Sequence, residues 1–183
     1  MLSIALRVLG YDANSITPEE ITAAKDYLLE HSENLVAVAA DDGQALLERG
    51  EVDMVIEYGG DIFQLINDCD CEDYNYVLPE EGTILNLDAM VLLTDAPNPE
   101  LALVFMDYIL DPYVNGQIAS EIAFPTPNMA AIEAGFVRQD LLDNPSVYPV
   151  TEGNENLYFL EFIGDDDILY NDAWDELLIF VGQ

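Results

Sequence analysis

The sequence predicts an α/β fold with a mainly parallel sheet. Three observations support this. Helical and strand-like patterns alternate at intervals of roughly ten to fifteen residues through the first half of the chain. LVAVAA (Leu35–Ala40) is a short continuous apolar run of the kind buried in a parallel sheet. Helix boundaries carry start and stop residues, as in the Thr17-Pro18-Glu19-Glu20 box and the glycines at 10 and 50.

In chain order, residues 2–9 read as the end of a helix closed by Gly10, and the Thr17 box opens a helix running to about Glu30. Leu35–Ala40 reads as a strand, Gln44–Arg49 as a helix closed by Gly50, Val52–Tyr58 as a strand and Asp61–Asp68 as a helix. Tyr74–Pro79 and Thr83–Leu93 are further strand segments. Then NPELALVFMDYILDP predicts an amphipathic helix from an Asn98 cap to Pro112, and YVNGQIASEI another. From Pro125 onward the pattern is short helices and turns, ending in an amphipathic helix near Asn171–Ile179.

A chain of 183 residues with 51% hydrophobic content can bury one good core or two small ones. Its charge sets it apart: 37 acids against 4 bases (Arg7, Lys25, Arg49 and Arg138) give a formal net charge of -33. Such a surface repels phosphate backbones and anionic membranes, which excludes nucleic acid as a partner and favours cations. No run approaches the ~18 apolar residues of a membrane span, and MLSIALRVLGYD lacks the pattern of a signal peptide, so no export signal is expected within these residues. Cys69 and Cys71, the only cysteines, are too close to indicate a redox compartment.

Ligands of open α/β sheets bind beyond the carboxyl ends of strands. Two segments fit. In IEYGGDIF, a strand ends at Tyr58, two glycines admit close backbone approach, and Asp61 caps the next helix. In LPEEGTILNLDAM, a lone carboxylate, Asp88, stands where an apolar strand enters a core, and burying it requires a partner.

Five stretches, in order and at these separations, resemble the C-terminal half of spermidine/putrescine-binding proteins, the extracytoplasmic solute receptors of polyamine ABC importers. They are Ala5–Leu28, Gly50–Phe63, Leu78–Met90, Ala96–Pro112 and Ile122–Ala131. The resemblance implies a fold of the periplasmic-binding-protein type: one lobe, a parallel or mixed sheet flanked by helices, plus part of the other. Residues 1–86 and 130–183 would belong to the second lobe and 87–129 to the first, with the N-terminal half of the receptor missing. It also implies a periplasmic or extracellular location, free or as a lipoprotein, a membrane ABC permease as partner, and no cofactor.

The family holds polyamines with rings against the alkyl chain and carboxylates against the ammonium groups. Carried onto this sequence, the tryptophan ahead of the glycine pair corresponds to Tyr58, the tryptophan two residues before the cleft aspartate to Asn86, and that aspartate to Asp88. The aromatic residue before the PTPN turn is Phe124, and a polar cleft residue falls near Leu160 or Glu161. Asp61 would act as helix cap or support. Only Asp88 is unchanged, so the amine class carries over while the ligand's length stays open.

The chemistry fits these roles: a buried ammonium needs a carboxylate already in place, and a ring face adds about 0.5–2 kcal/mol per cation contact. Two other readings stay open: a receptor of the same fold for a sugar, anion or iron, and an acidic structural or interaction module. Asp61 beside the glycine pair argues against an anion.

No enzyme is expected. His31 reads as a helix C-terminal residue, and the serines lack a nucleophile elbow. No metal site is expected in Asn67–Asn75 either, since two cysteines cannot complete a structural zinc site and Pro79 stands where a calcium loop needs its bidentate acid. ENLYFL resembles a protease-cleavage tag, but Leu160 replaces its glutamine and the segment is read as native.

Overall fold

The computed structural model describes residues 1–38, 42–69, 71, 73–149 and 156–182. Its helices are α1 (Leu2–Val8), α2 (Pro18–Glu30), α3 (Gly43–Glu48), α4 (Gly59–Cys69), α5 (Pro99–Leu110), α6 (Pro112–Ile122), α7 (Met129–Glu133), α8 (Gln139–Leu142) and α9 (Asp167–Val181). Two short strands, β1 (Thr83–Leu85) and β2 (Leu157–Phe159), pair in parallel with Ile84 opposite Tyr158. The chain forms two compact units, one of Met1–Ala40, Leu78–Asn86 and Thr151–Gln183, the other of Asp41–Val77 and Leu87–Val150.

The first unit is built on α1, α2 and α9. Leu2, Ala5 and Leu6 of α1 pack on Ile21 and Ala24 of α2 and on Ala173 of α9, with Tyr27, Tyr170 and Trp174 against them. The alanines let the helices approach closely, and Leu6 fills the space between with 0% exposure. Lys25 of α2 pairs with Glu176 of α9 across this contact. The hydrogen bond to Glu176 is the main reason the Lys25 ammonium sits above its ordinary pKa.

Polar groups finish this unit. Tyr170 donates its hydroxyl to the Ser15 carbonyl at 2.7 Å. The Asn14 amide donates to the Phe159 carbonyl at 3.0 Å and accepts the Glu161 N–H at 2.8 Å, continuing the chain beyond β2 as a strand neighbour would. The Arg7 guanidinium lies over the Tyr158 ring, 5.6 Å from its centroid.

In the second unit Ala123, Leu141 and Val147 form a small core with Phe63 and Tyr148. The Asp111 carboxylate caps α6, accepting the N–H groups of Tyr113 at 3.0 Å and Val114 at 3.2 Å. The PTPN turn is held by Thr126, whose hydroxyl donates to the Asn115 side chain and whose N–H donates to the Tyr148 phenol at 3.0 Å. Asn128 caps α7 by accepting the Ala131 N–H at 3.2 Å.

Several expectations differ in outcome. The helices fall where the sequence places them, but the Thr17 hydroxyl makes no cap bond; the Ser15 hydroxyl instead donates to Glu20 and accepts the Thr17 N–H. Of the expected strands, among the described residues only Thr83–Leu85 enters a ladder, with Leu157–Phe159 supplying the partner strand that the sequence reading did not assign. Among the described residues Val52–Tyr58 and Tyr74–Pro79 form no strand, and neither do Leu35–Val38; Ala39 and Ala40 lie outside them. An extended run becomes a strand only when another backbone lies alongside in register to form a ladder. Cys69 and Cys71 form a disulfide at the end of α4.

Because Leu6 is enclosed by three helices, Leu6→Ala leaves a cavity that rigid neighbours cannot close. A loss of about 2–5 kcal/mol in urea unfolding is expected.

Candidate functional site

Tyr58 precedes α4 and Asp61 lies in its first turn, and Phe124, distant in sequence, packs against Gly60 between them. Val52–Tyr58 delivers the chain to the Gly59-Gly60 pair that starts this helix, and Tyr58 is 51% exposed. From the other side, α6 ends at Ala123, which adopts a left-handed conformation (φ 55°) and turns the chain so that Phe124 faces α4. The Phe124 ring rests on Gly60 so closely that a Cβ there would lie 2.0 Å from two ring carbons. The glycine is therefore a steric requirement of the ring, not a device for backbone flexibility. Gln64 locks the junction by donating to the Ile122 carbonyl at 2.9 Å and to the Gly60 carbonyl at 3.3 Å.

Sequence reasoning missed a third ring. Tyr76 packs on Gly59, its ring carbons 3.3 Å from where a Cβ would stand, and donates its hydroxyl to the Glu57 carbonyl at 3.4 Å. Its ring lies 5.4 Å from that of Phe63. Burial, and behind it the Glu57 carboxylate, holds the Tyr76 phenol above its ordinary pKa. Glu57 itself accepts the Tyr58 N–H at 3.0 Å. The signal for Tyr76 was an aromatic residue in an apolar run, which by itself points equally to any core.

Acids accompany these rings. Asp61 stands in the first turn of α4, where the helix dipole favours a negative charge. It also lines a depression of about 310 Å3 along α3 and α4, together with Gln44, Glu48, Gln64 and Asp68. That depression contains none of Tyr58, Phe124 and Asp88; Ala45, Leu65 and Cys69 give it apolar lining beside the acids, but no aromatic ring faces it. The ring frame at α4 is the stronger candidate for binding.

Asp88 corrects the sequence reading. It belongs to the same unit as Tyr58 and Phe124 but is exposed, on a segment whose apolar residues are exposed with it. Among the described residues, residues 87–92 make no backbone–backbone hydrogen bond, so no sheet forms around the carboxylate to bury it. Asn86 is exposed as well and belongs to the other unit, directly after β1. His31 donates its Nδ1–H to the Tyr27 carbonyl, 2.8 Å away at the end of α2. Among the described residues no group of three or more metal-ligating side chains comes together; Asp70 and Glu72 of the Cys69–Cys71 loop lie outside them.

One exposed ring, Tyr58, and two half-buried ones, Phe124 and Tyr76, frame the start of α4 with Glu57 and Asp61 beside them, a candidate binding face on an α/β scaffold. Solved structures give that scaffold its type. A putative spermidine/putrescine ABC transporter from Listeria monocytogenes superposes with a TM-score of 0.86 at 24% identity, covering 98% of this chain and 54% of that one. A spermidine/putrescine ABC transporter substrate-binding protein from Streptococcus pneumoniae gives 0.82 at 25% identity, covering 98% and 55%. The fold is that of periplasmic binding proteins, of which this chain supplies about half.

Residues 1–142 match the family described as bacterial extracellular solute-binding protein, and the chain belongs to that family. Among curated relatives, the spermidine/putrescine-binding periplasmic protein of Salmonella typhimurium is 28% identical over 177 residues, 97% of this chain and 50% of the relative. The putrescine/agmatine-binding protein of Pseudomonas aeruginosa is 31% identical over 165 residues, 88% and 44% of the two chains. The chain thus spans about half the length of the curated relatives it matches.

Two outcomes test this geometry. Gly60→Ala drives a methyl into the Phe124 ring and should cost about 1–3 kcal/mol, with most of the loss recovered in the Gly60→Ala/Phe124→Ala double variant. For Tyr76, a raised folded pKa means its stabilisation is complete below the unfolded value of about 10 and lost as pH rises through the folded value. Unfolding at alkaline pH should therefore be steeper in the parent than in Tyr76→Phe.

Proposed function

We propose that this chain is the solute-recognising part of an ABC importer's receptor, taking an aliphatic di- or polyamine and performing no bond chemistry. The observation that carries the reading is the match, across 97% of the chain, to a relative named for binding spermidine and putrescine. The ring frame at α4 and the surplus of carboxylates support it physically. Rings lie against methylenes and exclude water, and a surface of net charge -33 attracts a cation from a distance.

In this reading Asp88 is the counter-ion to an ammonium, Tyr58 and Phe124 are the walls, Asn86 is a hydrogen-bonding neighbour and Asp61 supports the start of α4. Residues 87–129 contribute to the first lobe of the complete receptor and the rest to the second. The N-terminal half is supplied by polypeptide beyond this sequence, and the receptor works outside the cytoplasm with a membrane permease. Asp88, exposed in this chain alone, gains its strength when that half excludes water from it, because Coulomb attraction grows as the dielectric falls.

The test is a thermal-shift series with putrescine, spermidine, maltose and phosphate on this chain completed by an N-terminal half. Stabilisation by the amines alone is expected, by about 2.7 kcal/mol at a hundredfold excess over Kd. Asp88→Asn should weaken amine binding by about thirtyfold or more, the cost of leaving a buried charge without its partner. A shift with maltose or phosphate, or an amine shift that survives Asp88→Lys, overturns the assignment.

A further inference from the structure

The peptide group that leads into Tyr58 is held by side chains at both of its polar atoms. Its carbonyl, that of Glu57, accepts the Tyr76 hydroxyl at 3.4 Å, and its N–H, that of Tyr58, donates to the Glu57 carboxylate at 3.0 Å. Among the described residues neither atom has a backbone partner, so these two bonds stand where a sheet ladder would hold the end of a strand. The peptide group on the other side of Tyr58 is anchored too, its carbonyl accepting the Ile62 N–H at 3.3 Å as α4 begins. The backbone of Tyr58 is therefore tied on both sides while its side chain is exposed. Both holding groups are themselves seated. The Tyr76 ring rests on bare Gly59 and against Phe63, and the second oxygen of Glu57 fills the space beside Gly43, at the start of α3, where a Cβ would lie 2.6 Å from it.

Anchoring the peptide groups on both sides of a residue fixes the direction of its Cα–Cβ bond and restricts the rotamers open to its side chain. We infer that Glu57 and Tyr76 are positioning residues, whose bonds to one peptide group set the direction of the Tyr58 ring before any ligand arrives. The inference rests on the reading above that Tyr58 is a wall for an amine, and it adds two residues that act through that ring. A carboxylate suits the N–H side of the clamp, because a bond from a main-chain N–H to a charged acceptor is stronger than one to a neutral acceptor. The buried phenol suits the carbonyl side, since its ring packing leaves the hydroxyl little freedom to turn elsewhere. A wall held in this way loses less freedom when an alkyl chain settles on it, so more of the contact energy appears as affinity.

The test begins with NMR side-chain coupling constants of Tyr58 in this chain without any amine, which give its rotamer populations. One χ1 rotamer should dominate in the parent. Populations should average in Glu57→Ala and in Tyr76→Phe, which keeps the ring on Gly59 and removes only the hydroxyl. Glu57→Gln keeps an acceptor oxygen and should restore most of the order. Tyr74→Phe is the control: it removes a hydroxyl bond of the same kind in the same unit, to the Leu47 carbonyl at 3.1 Å, and should leave Tyr58 as in the parent. In the chain completed by an N-terminal half, the Kd for putrescine should rise about three- to tenfold in Tyr76→Phe and Glu57→Ala, return towards the parent in Glu57→Gln and stay put in Tyr74→Phe. Averaged rotamers in the parent overturn the proposal, as do unchanged rotamers in Tyr76→Phe and Glu57→Ala, an equal change in Tyr74→Phe, or putrescine binding that is unaltered once the rotamers average. If the rotamers respond as expected and no amine binds the completed chain, the positioning of Tyr58 stands and the amine reading falls.

Discussion

An extended backbone carries one donor and one acceptor per residue, and each must find a partner or stay in water. That requirement explains most of what this chain does and does not form. Helices satisfy it locally, and they appear where start and stop residues place them. Strands need a neighbour, and among the described residues Thr83–Leu85 finds one in Leu157–Phe159. Val52–Tyr58 and Leu87–Leu93 have the composition of sheet interior without its pairing, so the residues at their ends, Tyr58 and Asp88, are more open than their surroundings in sequence suggest.

Electrostatics compounds this openness. Three of the four bases have a carboxylate at hand: Lys25 with Glu176, Arg49 with Glu51 and Arg138 with Asp140. Arg7 instead lies on the Tyr158 ring. The pairs are partly or largely exposed and contribute little to stability, and four bases cannot balance 37 acids. Asp140 shows the local effect, its carboxyl held below the ordinary range chiefly by its hydrogen bond with Arg138. A mobile cation is the natural complement of the rest.

Local signals were legible and distant ones were not. Pro18, Gly10 and Gly50 marked helix ends correctly because capping depends on a few neighbouring residues. The family of the chain was legible from five ordered stretches, and Tyr58 and Phe124 were singled out before their common position at α4 was visible. What no spacing reveals is that Phe124 needs Gly60 bare, that Gln64 joins α4 to the end of α6, or that Tyr76 packs beside them, since each is a contact across 17 to 64 residues of chain. The expected burial of Asp88 is not met for the complementary reason: it takes paired backbone around the carboxylate, and among the described residues 87–92 make none.

The left-handed Ala123 has a consequence of its own. An alanine in that conformation costs about 1–2 kcal/mol that glycine would avoid. Glycine, though, would let the following aromatic swing through many directions. With a methyl at this corner the tilt of the phenyl group is settled as the polypeptide folds, so the shape of the surface beside α4 is fixed in advance and costs no later ordering.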